Sequence, residues 1–186
     1  MSDKTIEMIF GSAERVKIIK LFVFNPEKSF SPEVVSVWMS LSKARVQKEI
    51  KRLARAGLIV RKGRGFVMNK DCAYLPPLQE FLSSTNPGDE EIVKKLKGVG
   101  KIQLLILAGI FIQDSESRLD ILIVADKINK TRLAHAIKSL ESQVGKELLF
   151  SVFDRADFKY RLDMKDKLIM DVLDFPHEKV LNKLGI

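Results

Sequence analysis

Residues 41–59 read LSKARVQKEIKRLARAGLI, and the spacing inside that stretch decides how the first part of the chain folds. Val46, Ile50 and Leu53 stand at i, i+4 and i+7, the repeat of one face of an α-helix. On a helical wheel Arg45, Lys48, Lys51, Arg52 and Arg55 fall away from that stripe. Gly57 then supplies the left-handed residue on which a helix ends. The stretch predicts a helix from about Ser42 with an apolar inner face and a basic outer one. Upstream, Ser12 caps a helix whose apolar positions are Val16, Ile19, Phe22 and Val23, stopped by Asn25-Pro26. Ser31 precedes Pro32 at the first position of a short second helix carrying Val34, Val35 and Trp38. Downstream, residues 58–68 place two β-type runs around a basic, Gly-containing turn, the pattern of a hairpin.

Charge concentrates on the same stretch. The 186 residues carry a formal net charge of +8. Residues 1–75 hold 15 Lys+Arg against 7 Asp+Glu, whereas residues 76–186 hold 17 against 17. Between positions 42 and 64 the bases are Lys43, Arg45, Lys48, Lys51, Arg52, Arg55, Arg61, Lys62 and Arg64, and the one acid is Glu49. Such a block sets up a field that favours polyanions. A merely solvated helix face is the bland alternative, and it is the one expected for Arg52 and Arg55.

Composition excludes several classes. With 46% hydrophobic and 30% charged residues the usage is that of a globular protein, not a collagen-like or disordered chain. The longest apolar run, Leu104 to Ile112, is far short of the ~20 residues a membrane-spanning helix needs. Cys72 is the single cysteine and His135 and His177 the only histidines. Neither an internal disulfide nor a Cys- or His-based metal site is therefore expected, and no cofactor is implied. Without an export pattern at the N-terminus, the expected location is the cytoplasm.

Past the hairpin, Asp71 to Pro77 is expected to break regular structure. Leu78, Phe81 and Leu82 then mark a short helix, Ser83 to Asp89 a loop, and Glu90 to Lys97 a further helix stopped by Gly98-Val99-Gly100. That G-x-G precedes an apolar strand instead of following one, so it lacks the order of a dinucleotide-binding loop. Three strands are expected at Leu104–Phe111, Asp120–Ala125 and Leu148–Phe153, with a helix from Asn129 to Val144. One last helix runs from Asp157 to the break at Phe175-Pro176. The chain thus divides into residues 1–75, a helical connector 76–97, and a small mixed α/β domain 98–186.

Three helices, a tight turn before the third and a basic hairpin after it resemble the winged helix-turn-helix of MarR- and ArsR-type regulators. The resemblance covers about residues 8–75. It implies that the third helix enters the major groove of double-stranded DNA and that the protein acts as a homodimer. Ser42, Lys43, Arg45, Gln47 and Lys48 are the residues carried over for contacts near base edges, and Lys51, Arg61, Lys62 and Arg64 those for phosphates or the minor groove.

Residues 108–124, AGIFIQDSESRLDILIV, resemble the minimal nucleotidyltransferase domain of the DNA polymerase beta superfamily. In that family a strand ends in Gly-Ser and the next opens with Asp-x-Asp. Gly109 is kept, but the serine is Ile110 and the first metal-binding aspartate is Arg118, leaving Asp120 alone. An Arg118–Asp120 ion pair is expected where a metal would sit, and Glu147 and Asp154 are poor substitutes for the third carboxylate. The resemblance therefore implies the fold without catalysis. Together the two resemblances imply an α+β chain, a DNA-binding transcriptional regulator whose second domain dimerises, senses a ligand or binds a partner. Two other readings stay open: an active nucleotidyltransferase directed to nucleic acid, and an antitoxin-like module that binds protein.

Overall fold

A computed structural model describes residues 3–114 and 116–186. The chain divides into two compact units, one running to Asn86 and including Glu141–Lys146, the other formed by Pro87–Leu140 and Glu147–Ile186. Helices and strands are mixed, in an α+β arrangement with one two-stranded and one four-stranded sheet. Among the described residues no helix is long and apolar enough to cross a membrane.

In the first unit the chain forms α1 (Asp3–Phe10), α2 (Ala13–Val23), α3 (Pro32–Met39), α4 (Lys43–Arg55), β1 (Ile59–Lys62), β2 (Gly65–Met68) and α5 (Leu75–Ser83). The caps lie where residue chemistry puts them. Ser12 Oγ accepts from Arg15 N–H at 3.1 Å and Ser31 Oγ from Val34 N–H at 3.3 Å. Gly57 leaves α4 at φ +74°, which lets Leu58 N–H return to the Leu53 carbonyl at 3.0 Å. Val46, Ile50 and Leu53 are buried, as their spacing predicts, beside Phe22, Phe30, Val35, Ile59 and Met68. Phe30 meets Phe22 and Trp38 edge-on, with ring centroids 5.6 and 6.0 Å away.

The hairpin is tied to this core through backbone. Phe30 and Phe66 exchange two N–H···O bonds of 2.8 and 2.9 Å. A Cβ at Gly65 would lie 2.9 Å from the Phe30 carbonyl, so only glycine lets β2 approach the Phe30 backbone this closely. Two local features depart from expectation. Helix α1 has no forecast in the sequence, because it buries little besides Ile6 and leaves Met8 and Ile9 exposed. The break expected over Asp71–Pro77 ends at Tyr74, since Pro76 and Pro77 occupy the first turn of α5, where no amide donor is needed.

The second unit contains α6 (Asp89–Leu96), β3 (Lys101–Leu107), a 3-10 turn at Gly109–Phe111, β4 (Ile121–Asp126), α7 (Lys130–Val144) up to Leu140, β5 (Phe150–Phe153), α8 (Arg155–Asp163), α9 (Lys167–Asp174) and β6 (Glu178–Asn182). Strand order is β5-β4-β3-β6, with β3 antiparallel to both neighbours and β4 parallel to β5. Leu104 and Ile106 share a core with Leu122, Val124, Phe153, Phe158, Ile169 and Val172, so period-2 alternation on β3 and β4 meets the apolar stripes of α8 and α9.

Three expectations for this unit need correction. The apolar run Leu104–Phe111 is not one strand: β3 stops at Leu107 and the chain turns at Gly109, φ +52°. The single last helix is two, parted where Lys165 takes φ +53° and Asp166 caps α9 by accepting from Leu168 N–H at 3.0 Å. Residues after Pro176 form β6, which pairs with β3 and makes it an interior strand.

Candidate functional site

Helix α4 has two faces of different chemistry. Val46, Ile50 and Leu53 anchor it, while Ser42, Lys43, Arg45, Gln47, Lys48 and Lys51 are all exposed. On the hairpin Arg61, Lys62 and Arg64 are exposed too, with Gly63 at φ +59° making the turn between them. Ser42 sits at the N-cap, but its hydroxyl makes no capping bond. That leaves the hydroxyl available to an external acceptor or donor.

The one acid of the block is withdrawn from solvent. Glu49 is 7% exposed; its Oε2 accepts from Arg15 Nε at 2.7 Å and its Oε1 from Arg52 Nη1 at 2.9 Å. The Arg15 hydrogen bond, against the cost of burial, holds the Glu49 carboxyl below the usual carboxylate range, and the same bond raises Arg15. Arg15 also donates from Nη1 to the Phe10 carbonyl, so α1, α2 and α4 meet at one guanidinium. Arg52, expected to be solvated, is exposed and is also the second partner of Glu49. Exposed charge on this face is therefore almost entirely positive.

The cations differ in how they are engaged. Arg45 Nη1 donates to Glu14 Oε1 on α2 at 2.6 Å. Lys43 interacts electrostatically with Glu33 at the start of α3. Among the described residues Lys48, Lys51, Arg61, Lys62 and Arg64 take part in no ion pair. Sequence reading passed over Glu14 and Arg15, since their partners lie 31 and 34 positions away. The chain matches no protein-family model, no curated protein and no solved structure.

Around Gly109 and Asp120 the arrangement is of another kind. The expected Arg118–Asp120 pair does not form. Strand β4 begins only at Ile121, so positions 118 and 120 do not share a pleated face, and Arg118 Nε lies 2.8 Å from Asp171 Oδ2 on α9. Both Asp120 oxygens serve backbone instead: Oδ1 accepts from Ile110 N–H at 2.9 Å and Oδ2 from Leu149 N–H at 2.8 Å. A Cβ on Gly109 would stand 2.3 Å from Asp120 Oδ1, so the glycine makes room for this carboxylate. Asp154 caps α8 through Asp157 N–H at 2.8 Å. Among the described residues no three His, Cys, Asp or Glu side chains lie together in a group that could hold a metal ion. His177 Nδ1 is 2.8 Å from its neighbouring Phe175 carbonyl, and His135 is exposed on α7.

Proposed function

We propose that the chain is a DNA-binding transcriptional regulator, with residues 1–75 acting as a winged helix-turn-helix and α4 as the element that enters the major groove. The observation that carries this reading is the division of charge on α4 and its hairpin. Among the described residues six cations there, Lys48, Lys51, Arg55, Arg61, Lys62 and Arg64, are in no ion pair, while Glu49, the one acid between positions 42 and 64, is buried between two guanidinium groups. A helix anchored by three apolar residues and offering Ser42, Lys43, Arg45, Gln47 and Lys48 at its N-terminal end fits base-edge contacts. Arg and Gln can each make bidentate bonds there. Lys51, Arg61, Lys62 and Arg64 suit phosphates, whose contacts set register more than sequence preference.

In this reading the second unit, a nucleotidyltransferase-like frame without its catalytic carboxylates, serves dimerisation, sensing or partner binding. The reading is tested by titrating the full chain into random-sequence duplex DNA by fluorescence anisotropy at two salt concentrations, beside a Lys48→Glu/Arg64→Glu variant. Wild type should bind with an affinity that falls steeply with salt, and the folded variant should lose at least tenfold. If neither protein binds while both stay folded, the regulator reading is wrong, and a single stoichiometric protein partner becomes the thing to look for.

A further inference from the structure

We infer that the second unit carries a phosphate-binding surface of its own, centred on the Gly98–Gly100 turn and suited to the backbone of a nucleic acid. Lys94 on α6, Lys97 at its C-cap, Lys101 at the start of β3 and Lys183 after β6 line a shallow cleft of about 590 Å³, floored by Ile102 and Leu181. The other side of the turn is closed by the segment leading into α7. Asn129 N–H donates to the Val99 carbonyl at 2.7 Å and Arg132 Nη1 to the Gly98 carbonyl at 3.3 Å. A Cβ on Gly100 would lie 2.8 Å from the Asp126 carbonyl and 3.4 Å from that of Lys127. These close approaches bring Lys127, Lys130 and Arg132 to the same turn.

All seven cations are exposed, and among the described residues none is in an ion pair. The acids nearby lie mostly to one side. Glu90 lines the cleft, Asp89 and Glu91 share a neighbouring hollow with Lys94, and Asp126 is engaged by Gln103 Nε2 at 3.1 Å. Lysines at the end of a helix complement its dipole, which accounts for Lys94 and Lys97 but not for Lys101, Lys127, Lys130, Arg132 or Lys183. A small anion calls for an enclosed pocket with converging donors. A lipid surface calls for apolar side chains to insert, and Val93, 36% exposed, is a poor one. Cations spread over three segments around an open cleft fit a chain of regularly spaced phosphates. The patch is invisible in the residue count because equal numbers of acids elsewhere in residues 76–186 cancel it.

The inference rests on the regulator reading only for its choice of duplex DNA as the polyanion, and one experiment separates the two. The full chain is titrated with random-sequence duplex across a salt series as wild type, Lys97→Glu/Lys130→Glu, Lys48→Glu/Arg64→Glu, and the combination. Loss of the second surface should lower low-salt affinity about tenfold and flatten the salt slope by about 2, at about 0.9 per phosphate contact. A milder Lys101→Gln/Lys183→Gln pair should move both in the same direction. Residual salt-dependent binding in Lys48→Glu/Arg64→Glu should disappear in the combined variant. Wild-type affinity and slope in both second-unit variants would overturn the inference and leave the regulator reading standing. Loss in the second-unit variants with none in Lys48→Glu/Arg64→Glu would do the reverse.

Discussion

Helix α4 and the turn around Asp120 both carry charged side chains that could face a ligand, yet the two regions use them in opposite ways. On α4 the fold takes up the acid, burying Glu49 between Arg15 and Arg52, and leaves most of the cations exposed outside any ion pair. At the turn the fold takes up Asp120 itself, spending both oxygens on the amides of Ile110 and Leu149. A carboxylate that accepts a backbone amide on each oxygen is a structural tie between the segments it joins. A charged group whose partners lie outside the molecule is available. The same chain thus exposes cations on one surface and commits the carboxylate of the other to its own backbone.

The strongest way to break that contrast is at Asp120. Asp120→Ala removes the acceptor of two backbone amides at once, each bond to a charged group contributing about 1.5 kcal/mol or more, so the second unit should lose about 3 kcal/mol. Urea denaturation followed by amide hydrogen exchange would place the loss in β3 and β4. The lone tryptophan, Trp38, lies in the first unit and should report an unchanged transition there. A neutral or stabilising substitution would mean that the carboxylate is kept for something other than the fold, and the chemical reading of this turn would have to be reopened.

The acid under α4 gives the next effect and a pH dependence with a defined sign. Its folded carboxyl is held below the ordinary range by the Arg15 bond, so the stabilisation is complete above the unfolded value of about 4.3. It is lost as pH falls through the lower folded value. Glu49→Gln should cost about 1.5 kcal/mol at pH 7. The gap between wild type and variant should narrow steadily below about pH 4. A gap that stays constant with pH would show that shape, not charge, is what Glu49 supplies.

How far the sequence discloses this contrast depends on how local each signal is. Ser12, Ser31 and Gly57 act within a turn of their own position, and Val46, Ile50 and Leu53 repeat at helical spacing, so α2, α3, α4 and the hairpin are readable residue by residue. Lys165 at φ +53° carries no mark in the sequence, since lysine gives no hint of left-handed backbone, and the split between α8 and α9 was therefore hidden. Strand β6 mixes Glu178 and Lys179 with Val180 and Leu181 and exists because β3 offers it an edge. Asp120 is legible only as the remnant of an Asp-x-Asp pattern, and its partners are the amides of Ile110 and Leu149. No spacing rule in one strand reveals a carboxylate bound to the backbone of two other segments. The exposed bases on α4 were legible as charge, whereas their differing engagement was not, because Glu14 lies on another helix.

That last difference supplies the smallest effect and the finest test of the DNA-binding reading. Among the described residues Arg45 is the proposed base reader in an ion pair, at 2.6 Å from Glu14, and its side chain is 67% exposed. An exposed pair of this kind contributes under about 1 kcal/mol, so releasing it changes binding by no more than about fivefold. Removing Glu14 also removes a negative charge from the face proposed to meet phosphates. Glu14→Gln should therefore bind random-sequence duplex about two- to fivefold tighter, with a slightly steeper salt dependence. On the DNA-binding reading, wild type should give up the Glu14 contact only where a guanine edge offers Arg45 two acceptors in exchange. Sequences selected from a random pool should consequently be less restricted at one guanine for the variant than for wild type, and Arg45→Ala should remove that guanine preference in both. Equal preference in wild type and Glu14→Gln would show that the pair is only a surface contact and that specificity on this face is set elsewhere, by Gln47, Lys48 or the shape of the groove.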